Sequence, residues 1–333
     1  MMRFVFPVLL AVCAAYPFVG TSLLPLLTIV FAKALPVLGI ILLLQAGQVS
    51  FGHALFFAVG AYTMGFVLRD VGAVDLVLLL PIATLAAGLV GLAVGVFVVR
   101  YRYIFFAMLN LAFSMVLYSL LEKFFHVTGG TDGLRVARPT VVGLTLDRHE
   151  FELVLYGVSL ALLAVALLGA HRLLDSPIGH TLKAIKTNET RVEYLGLSPR
   201  RTLLAFYVVS AMLAGLGGAI VAVYQGLATP DYAYWTRSGE MVFVAILGGA
   251  GHVLGALVGS FAFEFIRQFA AAYVGDYWQM TLGFVLLIVI LFQPDGLIGL
   301  VQRIGRRRPA HHEVHHEGRP VGEPMPGTTE GRP

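Results

Sequence analysis

The stretch LQAGQVSFGHALFFAVGAY, residues 44–62, lies between apolar segments but carries glycine, glutamine, serine and histidine. The chain around it is 58% hydrophobic and only 13% charged. A soluble domain has about twice that share of charged residues, so the apolar runs that recur along the chain indicate membrane-spanning helices. Inside a membrane, a broken helix is tolerated only where it lines a cavity or is buried in protein. Residues 44–62 therefore predict a helix break inside a membrane domain.

The apolar runs predict an all-α polytopic helix bundle. They lie near residues 4–20, 24–44, 53–68, 75–99, 103–121, 151–170, 202–225, 239–250, 253–271 and 277–299. A helix needs about twenty residues to cross a bilayer, and the runs 53–68 and 239–250 are clearly shorter. We expect about 8–10 spans, some of them broken or short helices. The first run is interpreted as an uncleaved span, with a signal peptide as the alternative.

The positions of lysine and arginine predict the orientation of the bundle. These residues cluster in the loop 171–201, at Arg100 and Arg102, and just after residue 302, and we expect all three places to be cytoplasmic. The loop 122–150 balances both signs of charge, which suits the opposite side. The predicted domains are a transmembrane domain over 1–300 and a cytoplasmic tail over 301–333. The tail is rich in Pro, Gly, His and Glu, and we expect it to be disordered because it cannot bury apolar surface.

Two short segments of the chain resemble each other. FGHALFFAVGAY (51–62) and AGHVLGALVGSF (250–261) share Gly, His, Leu, Val and Gly at aligned positions. We interpret this match as an internal pseudo-repeat, because transporters are often built from paired repeats with broken helices. Chance similarity is the alternative in a chain so rich in these residues. The predicted helix-break glycines are Gly47, Gly52, Gly248, Gly249 and Gly251.

The loop 171–201 has the pattern of an ordered element. Asp175 or Ser176 can cap a helix that has Pro177 at its first position, which predicts a helix over 178–188. A second short helix over 189–195 would end at Gly196. We interpret the pair as a coupling element that receives motion from a soluble partner. Its candidate contact residues are Lys183, Lys186, Glu189, Arg191 and Gly196.

Neutral hydrogen-bonding side chains mark a candidate path for a solute. These residues are Gln45, Gln48, Ser50 and His53 in the break, together with Asn110 and Ser114, which lie four apart on one helix face. Such groups suit the passage of a polar or zwitterionic solute. The alternative is a structural role, in which the glycines allow close packing and the polar side chains only bridge helices. Glu264 and Arg267, three apart, are expected to pair near one end of their span.

Several classes of function are disfavoured by what the sequence contains. It offers no nucleophile–base pair, no metal-ligating cluster and no phosphate-binding loop, so we expect no enzyme, no catalytic residues, no metal and no cofactor of its own. The net charge of +4 is not a nucleic-acid signal, because its clusters lie at span ends. An ion-coupled secondary transporter would place acidic residues in the breaks, which contain none. A sensor subunit would need a large soluble output domain.

Longer motifs connect the chain with a known family. GQVSFGHALFFAVGAY (47–62), TGGTDGL (128–134), LKAIKTNETRVEYLGLSPRRTLLAFYVVSAMLAGLGGAI (182–220), VAILGGAGHVLGALVGSFAFE (244–264) and LFQPDGLIGL (291–300) occur in order. The chain resembles the LivM-type membrane permease of branched-chain amino-acid ABC importers over about residues 35–300. Urea permeases and permeases for other small amides or carboxylates share these motifs.

The resemblance implies a multi-pass permease in the bacterial inner membrane, with its C-terminus in the cytoplasm. Its partners would be a second related permease, two cytoplasmic ATPases that bind ATP, and a periplasmic solute-binding protein. The 171–201 loop would then be the coupling element that contacts an ATPase. The solute would be leucine, isoleucine or valine, with urea or a short amide or carboxylate as the alternative.

Overall fold

The helices follow the predicted apolar runs closely. The computed structural model describes residues 13, 16, 23–72, 74–293 and 296–299. The helices are α1 Leu24–Leu44, α2 His53–Asp70, α3 Leu76–Val98, α4 Tyr103–Lys123, α5 Arg148–Leu174, α6 Pro177–Thr187, α7 Glu189–Tyr194, α8 Pro199–Gln225, α9 Trp235–Gly248, α10 Gly255–Val274 and α11 Trp278–Phe292. Single turns lie at Phe125–Thr128, Gly130–Asp132, Pro230–Ala233 and Gly275–Tyr277, and the strands are β1 Leu134–Arg135 and β2 Leu227–Ala228. The all-α prediction is confirmed.

Five of the described helices, α1, α3, α4, α5 and α8, are long and apolar enough to cross a membrane. The breaks also lie where the sequence predicts them, because α1 ends at Leu44 before α2 begins, and α9 ends at Gly248 before α10 begins. Most of the predicted first span and the whole predicted tail 301–333 lie outside the described residues.

Helix α8 is the centre of the packing, with α1, α2 and α3 against it. Two glycine contacts allow this approach: a Cβ at Gly60 of α2 would overlap the backbone of Gly215, and a Cβ at Gly218 would overlap the backbone of Phe57. Small residues at such crossings let helix backbones pack closely in a membrane, where no hydrophobic effect drives helices together. The α2–α8 contact therefore depends on glycine on both helices.

The bundle has two distinct ends. One end carries α6 and α7. They lie beside the α3–α4 connection, where Arg102 forms a salt bridge with Glu189 of α7. At the opposite end, Arg69 near the end of α2 donates to the carbonyl of Val127 at 2.7 Å. There β1 also pairs antiparallel with β2, which ties the 124–147 loop to the end of α8. The helices thus alternate between the two ends in the order that the charge pattern predicts.

Candidate translocation path and coupling surface

The two helix breaks touch each other. The side-chain amide of Gln45 donates to the carbonyl of Ala250 at 2.8 Å, which joins the break after α1 to the break after α9. Gly47 adopts a positive φ of 73°, and a Cβ there would lie 3.3 Å from Cγ of Lys186 in α6. The junction of the two breaks therefore lies at the α6–α7 end of the bundle.

His53 bridges α2 and α8. Its ring is fully buried, with Nδ1 3.0 Å from Oγ of Ser50 and Nε2 in a short contact with Oγ of Ser210. In addition, Oγ of Ser238 accepts a hydrogen bond from the Ala54 amide at 2.9 Å. Both ring nitrogens of His53 thus have partners within the protein, which favours the structural role for His53 and Ser50.

Gln48, Asn110 and Ser114 are also buried and have partners within the chain. Oε1 of Gln48 accepts from the Tyr103 amide at 3.0 Å and fixes the start of α4. Oδ1 of Asn110 accepts from the Tyr207 hydroxyl, and Ser114 donates to the carbonyl of Ala233 at 2.7 Å. These contacts join α4 to its neighbours and favour helix bridging, and the role of these residues in a solute path stays a prediction.

A substitution at Ser210 separates the two roles of His53. The Ser210→Ala variant should lower the free energy of unfolding by about 1–3 kcal/mol, because it leaves a buried ring nitrogen without a partner. If His53 only bridges helices, transport per folded molecule should stay at the wild-type value. Thermal unfolding in detergent and uptake normalised to protein amount measure the two effects. A loss of normalised uptake with unchanged unfolding would place His53 in the path.

Close approach to a neighbouring backbone explains two of the five predicted break glycines. A Cβ at Gly52 would lie 2.7 Å from the carbonyl oxygen of Asn110, and a Cβ at Gly248 would overlap the backbone of Gly255. Gly249 has a φ of 108°, a backbone conformation that residues with a side chain rarely adopt. Gly251 is different, because nothing lies within 4 Å of its Cβ position. Packing therefore explains Gly52 and Gly248, and backbone conformation explains Gly249.

A charged cluster lies halfway along the bundle, between α1 and α10. Glu264 is only 2% exposed, and its carboxylate contacts Nζ of Lys33 at 2.5 Å and Nη2 of Arg267 at 2.8 Å. The predicted pairing of Glu264 with Arg267 is confirmed. The expectation that Glu264 lies near a helix end is wrong, because α10 extends to Val274 and places Glu264 at its middle. Lys33 was not among the predicted functional residues, although a lone lysine inside an apolar helix of 21 residues indicates a functional position.

The charged cluster lines a cavity of ≈ 110 Å³ between α1, α8, α9 and α10, to which α2 contributes Phe57. Gln225 and Tyr232 line it near the end of α8, and Arg237 and Glu240 line it from α9. Arg237 and Glu240 pair with each other at 3.2 Å. The cavity thus brings together polar groups of four helices, and none of the six predicted path residues lines it.

The predicted coupling element is present as two short helices. Ser176 caps α6 by accepting from the Gly179 amide at 3.3 Å, and Asn188 caps α7 by accepting from the Arg191 amide at 2.9 Å. The buried face consists of Leu182, Ile185 and Val192. This face fixes the pair of helices against the rest of the bundle.

The outer face of the coupling element is open. Three of its cationic side chains are exposed: Lys183, Lys186 and Arg191. Glu189 is instead held by Arg102, whose Nε and Nη2 donate to the two carboxylate oxygens at 2.8 and 2.5 Å. Gly196, with a φ of 78°, turns the chain after α7. Around this turn Tyr194 is 88% exposed, Leu195 72% and Leu197 46%. We call residues 194–197 the apolar knob.

Comparison with known proteins agrees with this arrangement. A family model described as "Branched-chain amino acid transport system / permease component" matches residues 22–291. The chain belongs to this family. It is therefore a membrane permease component, and the described helices that could cross a bilayer agree with that assignment.

Individual members of the family show how far the similarity extends. The chain is 29% identical over 325 residues to the high-affinity branched-chain amino acid transport permease LivM of Escherichia coli (strain K12), covering 88% of this chain and 74% of that protein. It is 28% identical over 126 residues to BraD of Pseudomonas aeruginosa, covering 37% and 40%. It is 21% identical over 205 residues to a probable LivH of Methanocaldococcus jannaschii, covering 57% and 62%. No solved structure matches.

Proposed function

We propose that this chain is the permease subunit of an ABC importer that moves leucine, isoleucine and valine across the bacterial inner membrane. The observation that carries the proposal is the ordered α6–α7 element, with its exposed cations and apolar knob, on a membrane bundle of the permease family. The substrate assignment is supported by relatives named as branched-chain amino acid permeases, such as LivM, which the chain matches over most of its length. ATP would be bound and hydrolysed on partner subunits.

The contacts of α6 and α7 supply a route for motion into the bundle. Leu182, Ile185 and Val192 are buried on the inner face of the element, and both helices pack against α8. The Arg102–Glu189 salt bridge ties α7 to the start of α4. A push on the apolar knob by an ATPase would therefore displace α4 and α8 together, and these helices contact the break junction and the cavity.

The proposed assembly contains two cytoplasmic ATPases, a second related permease and a periplasmic solute-binding protein. The α6–α7 end carries the cluster of Lys and Arg between 171 and 201, which supports a cytoplasmic position for that end. On this orientation the 301–333 tail is cytoplasmic too. The β1–β2 pair and the 124–147 loop then face the binding protein.

Urea or a short amide or carboxylate is the second candidate solute, since permeases for these compounds share the sequence motifs. An ion-coupled secondary transporter has less support. The acidic residue at the middle of the bundle, Glu264, already pairs with two cationic side chains, Lys33 and Arg267. Two cationic partners outweigh the single negative charge of Glu264, so this carboxylate does not attract Na⁺.

Uptake of labelled leucine in cells with and without the gene tests the proposal. Deletion should abolish ATP-dependent leucine uptake, and unlabelled isoleucine and valine should compete with leucine in cells that carry the gene, whereas urea should not. Re-expression of the intact chain is the control. Leucine uptake that survives deletion would contradict the substrate assignment and direct the next assay to urea and short amides.

A further inference from the structure

We infer that the cavity between α1, α8, α9 and α10 is a binding site for a zwitterionic α-amino acid with an aliphatic side chain on its way through the permease. This inference rests on the proposed function and adds to it the place in the bundle where the solute is held. It also assigns the recognition to charged and hydroxyl groups outside the predicted path residues.

An unpartnered hydroxyl is the first sign of a missing ligand. Ser260 of α10 lines the cavity, is 1% exposed, and its Oγ has no hydrogen-bond partner within the described structure. A buried polar atom without a partner is costly, and such atoms are rare in native proteins. Other buried serines of the bundle do have partners, as Ser159 donates to its own helix at Leu155 O, 2.6 Å away. A solute in the cavity would supply the hydrogen bond that Ser260 lacks.

The balance of charge points to a carboxylate on the solute. The cavity is lined by three cationic side chains, Lys33, Arg237 and Arg267, and by two anionic ones, Glu240 and Glu264, which leaves one positive charge in excess. The excess favours an anionic group beside Lys33 and Arg267, while the ammonium of a zwitterionic solute lies beside an anionic side chain and leaves the total charge of the site unchanged. We assign the solute carboxylate to the side of the cavity where Lys33 and Arg267 flank Glu264.

The remaining lining suits the other two parts of an amino acid. Glu240, which is held by Arg237 at 3.2 Å, provides a carboxylate for the solute ammonium. Six apolar side chains complete the wall: Val37, Phe57, Val221, Met241, Val244 and Phe263. The cavity measures ≈ 110 Å³, room for about four waters at liquid density, so its lining side chains must move apart around a bound leucine. Urea, which has no charge and no aliphatic part, would leave these groups unmatched.

The Ser260→Ala variant gives the first test, in proteoliposomes that contain the complete transporter. Removing a buried hydroxyl that has no partner should leave the unfolding temperature unchanged or raise it, so a purely structural role predicts no loss of transport. A role in binding predicts that leucine moved per ATP hydrolysed falls about threefold to tenfold, the size of one hydrogen bond. The matched control is Ser159→Ala, which should transport normally. Wild-type transport per ATP in the Ser260→Ala variant would overturn the inference.

A labelling assay tests the site independently of transport. In a Cys13→Ser background, Ser260→Cys introduces a single thiol at the cavity, and a water-soluble thiol reagent should label it. Millimolar leucine should slow labelling at least about threefold, the loss of free thiol expected at about twice the half-saturating concentration or above. Leucinol, which lacks the carboxylate, should not slow the labelling.

A second variant tests the carboxylate position. Arg267→Gln keeps the Lys33–Glu264 pair and should remove the protection by leucine. Absent labelling, or labelling that leucine does not slow, would overturn the inference.

The labelling assay and the gene-deletion uptake assay together separate this inference from the proposed function. Loss of leucine uptake on gene deletion, together with labelling that leucine does not slow, would refute the site and leave the function standing. Leucine uptake that persists after deletion would refute the function whatever the labelling shows.

Discussion

Cells that produce the Gly218→Ala variant should contain at least tenfold less folded permease than cells with the wild-type chain. A Cβ at Gly218 would overlap the backbone of Phe57, and backbone cannot move aside as a flexible side chain can. The α2–α8 contact would have to open, and overpacking of this kind costs about 1–3 kcal/mol or more. Gly60→Ala should have the same effect, because its Cβ would overlap the backbone of Gly215 from the other side.

Gly169→Ala is the matched control for both substitutions. Gly169 also lies inside a helix, α5, but nothing lies within 4 Å of its Cβ position. Alanine there should be neutral or raise the free energy of unfolding by up to about 1 kcal/mol through helix propensity. Membrane-fraction blots and thermal unfolding in detergent measure both quantities. Equal amounts of folded protein in all three variants would show that the α2–α8 crossing tolerates a wider separation.

The Gly196→Val variant should uncouple the transporter. The turn after α7 needs a positive φ of 78°, which a β-branched residue adopts only at a cost of about 1–3 kcal/mol, so the apolar knob would change direction. Arg191→Glu, which reverses an exposed charge on the same helix, should act alike. We expect leucine uptake to fall at least tenfold in both variants, because the motion of the ATPases would reach the bundle through this contact. ATP hydrolysis and membrane insertion of the chain should be retained.

Asparagine at position 196 is the control for the turn, because it tolerates the left-handed conformation. Gly196→Asn should keep most of the coupled uptake. The measurement is leucine transported per ATP hydrolysed in proteoliposomes with the partner subunits. Normal coupled uptake in both Gly196→Val and Arg191→Glu would remove the proposal that α6, α7 and the apolar knob contact an ATPase.

Local features of the fold could be predicted from the sequence because their physical causes are local. For the described helices, apolar runs predicted the bounds to within about four residues, except that α11 ends at Phe292 whereas its run extends to 299. The polar glycine-rich stretches predicted both breaks. The Ser176 cap with Pro177 behind it gave the start of α6. The pairing of Glu264 with Arg267 followed from a spacing of three on one helix.

Partners on different helices could not be predicted in this way. Periodicity tells which residues share a face of one helix, but it does not tell which helix packs on that face. His53 meets Ser210, Glu189 meets Arg102, and Glu264 meets Lys33, and each of these pairs depends on the tertiary packing. The predicted path residues therefore have partners elsewhere in the bundle. The cavity between α1, α8, α9 and α10 is lined instead by charged residues that were predicted only to pair with each other or were not predicted to have a role.

The Lys33–Glu264 salt bridge also has a consequence for the synthesis of the chain. The two residues are 231 positions apart, so α1 leaves the ribosome long before α10 exists. At about 5–20 residues per second, Lys33 waits roughly 10–50 s for its carboxylate. During that time the nascent protein carries a lone ammonium in a segment destined for the lipid core, which costs about 2.5–3.5 kcal/mol at a helix centre. The final arrangement of α1 is therefore reached late in translation, and chains truncated before residue 264 should be the ones that membrane quality-control proteases remove.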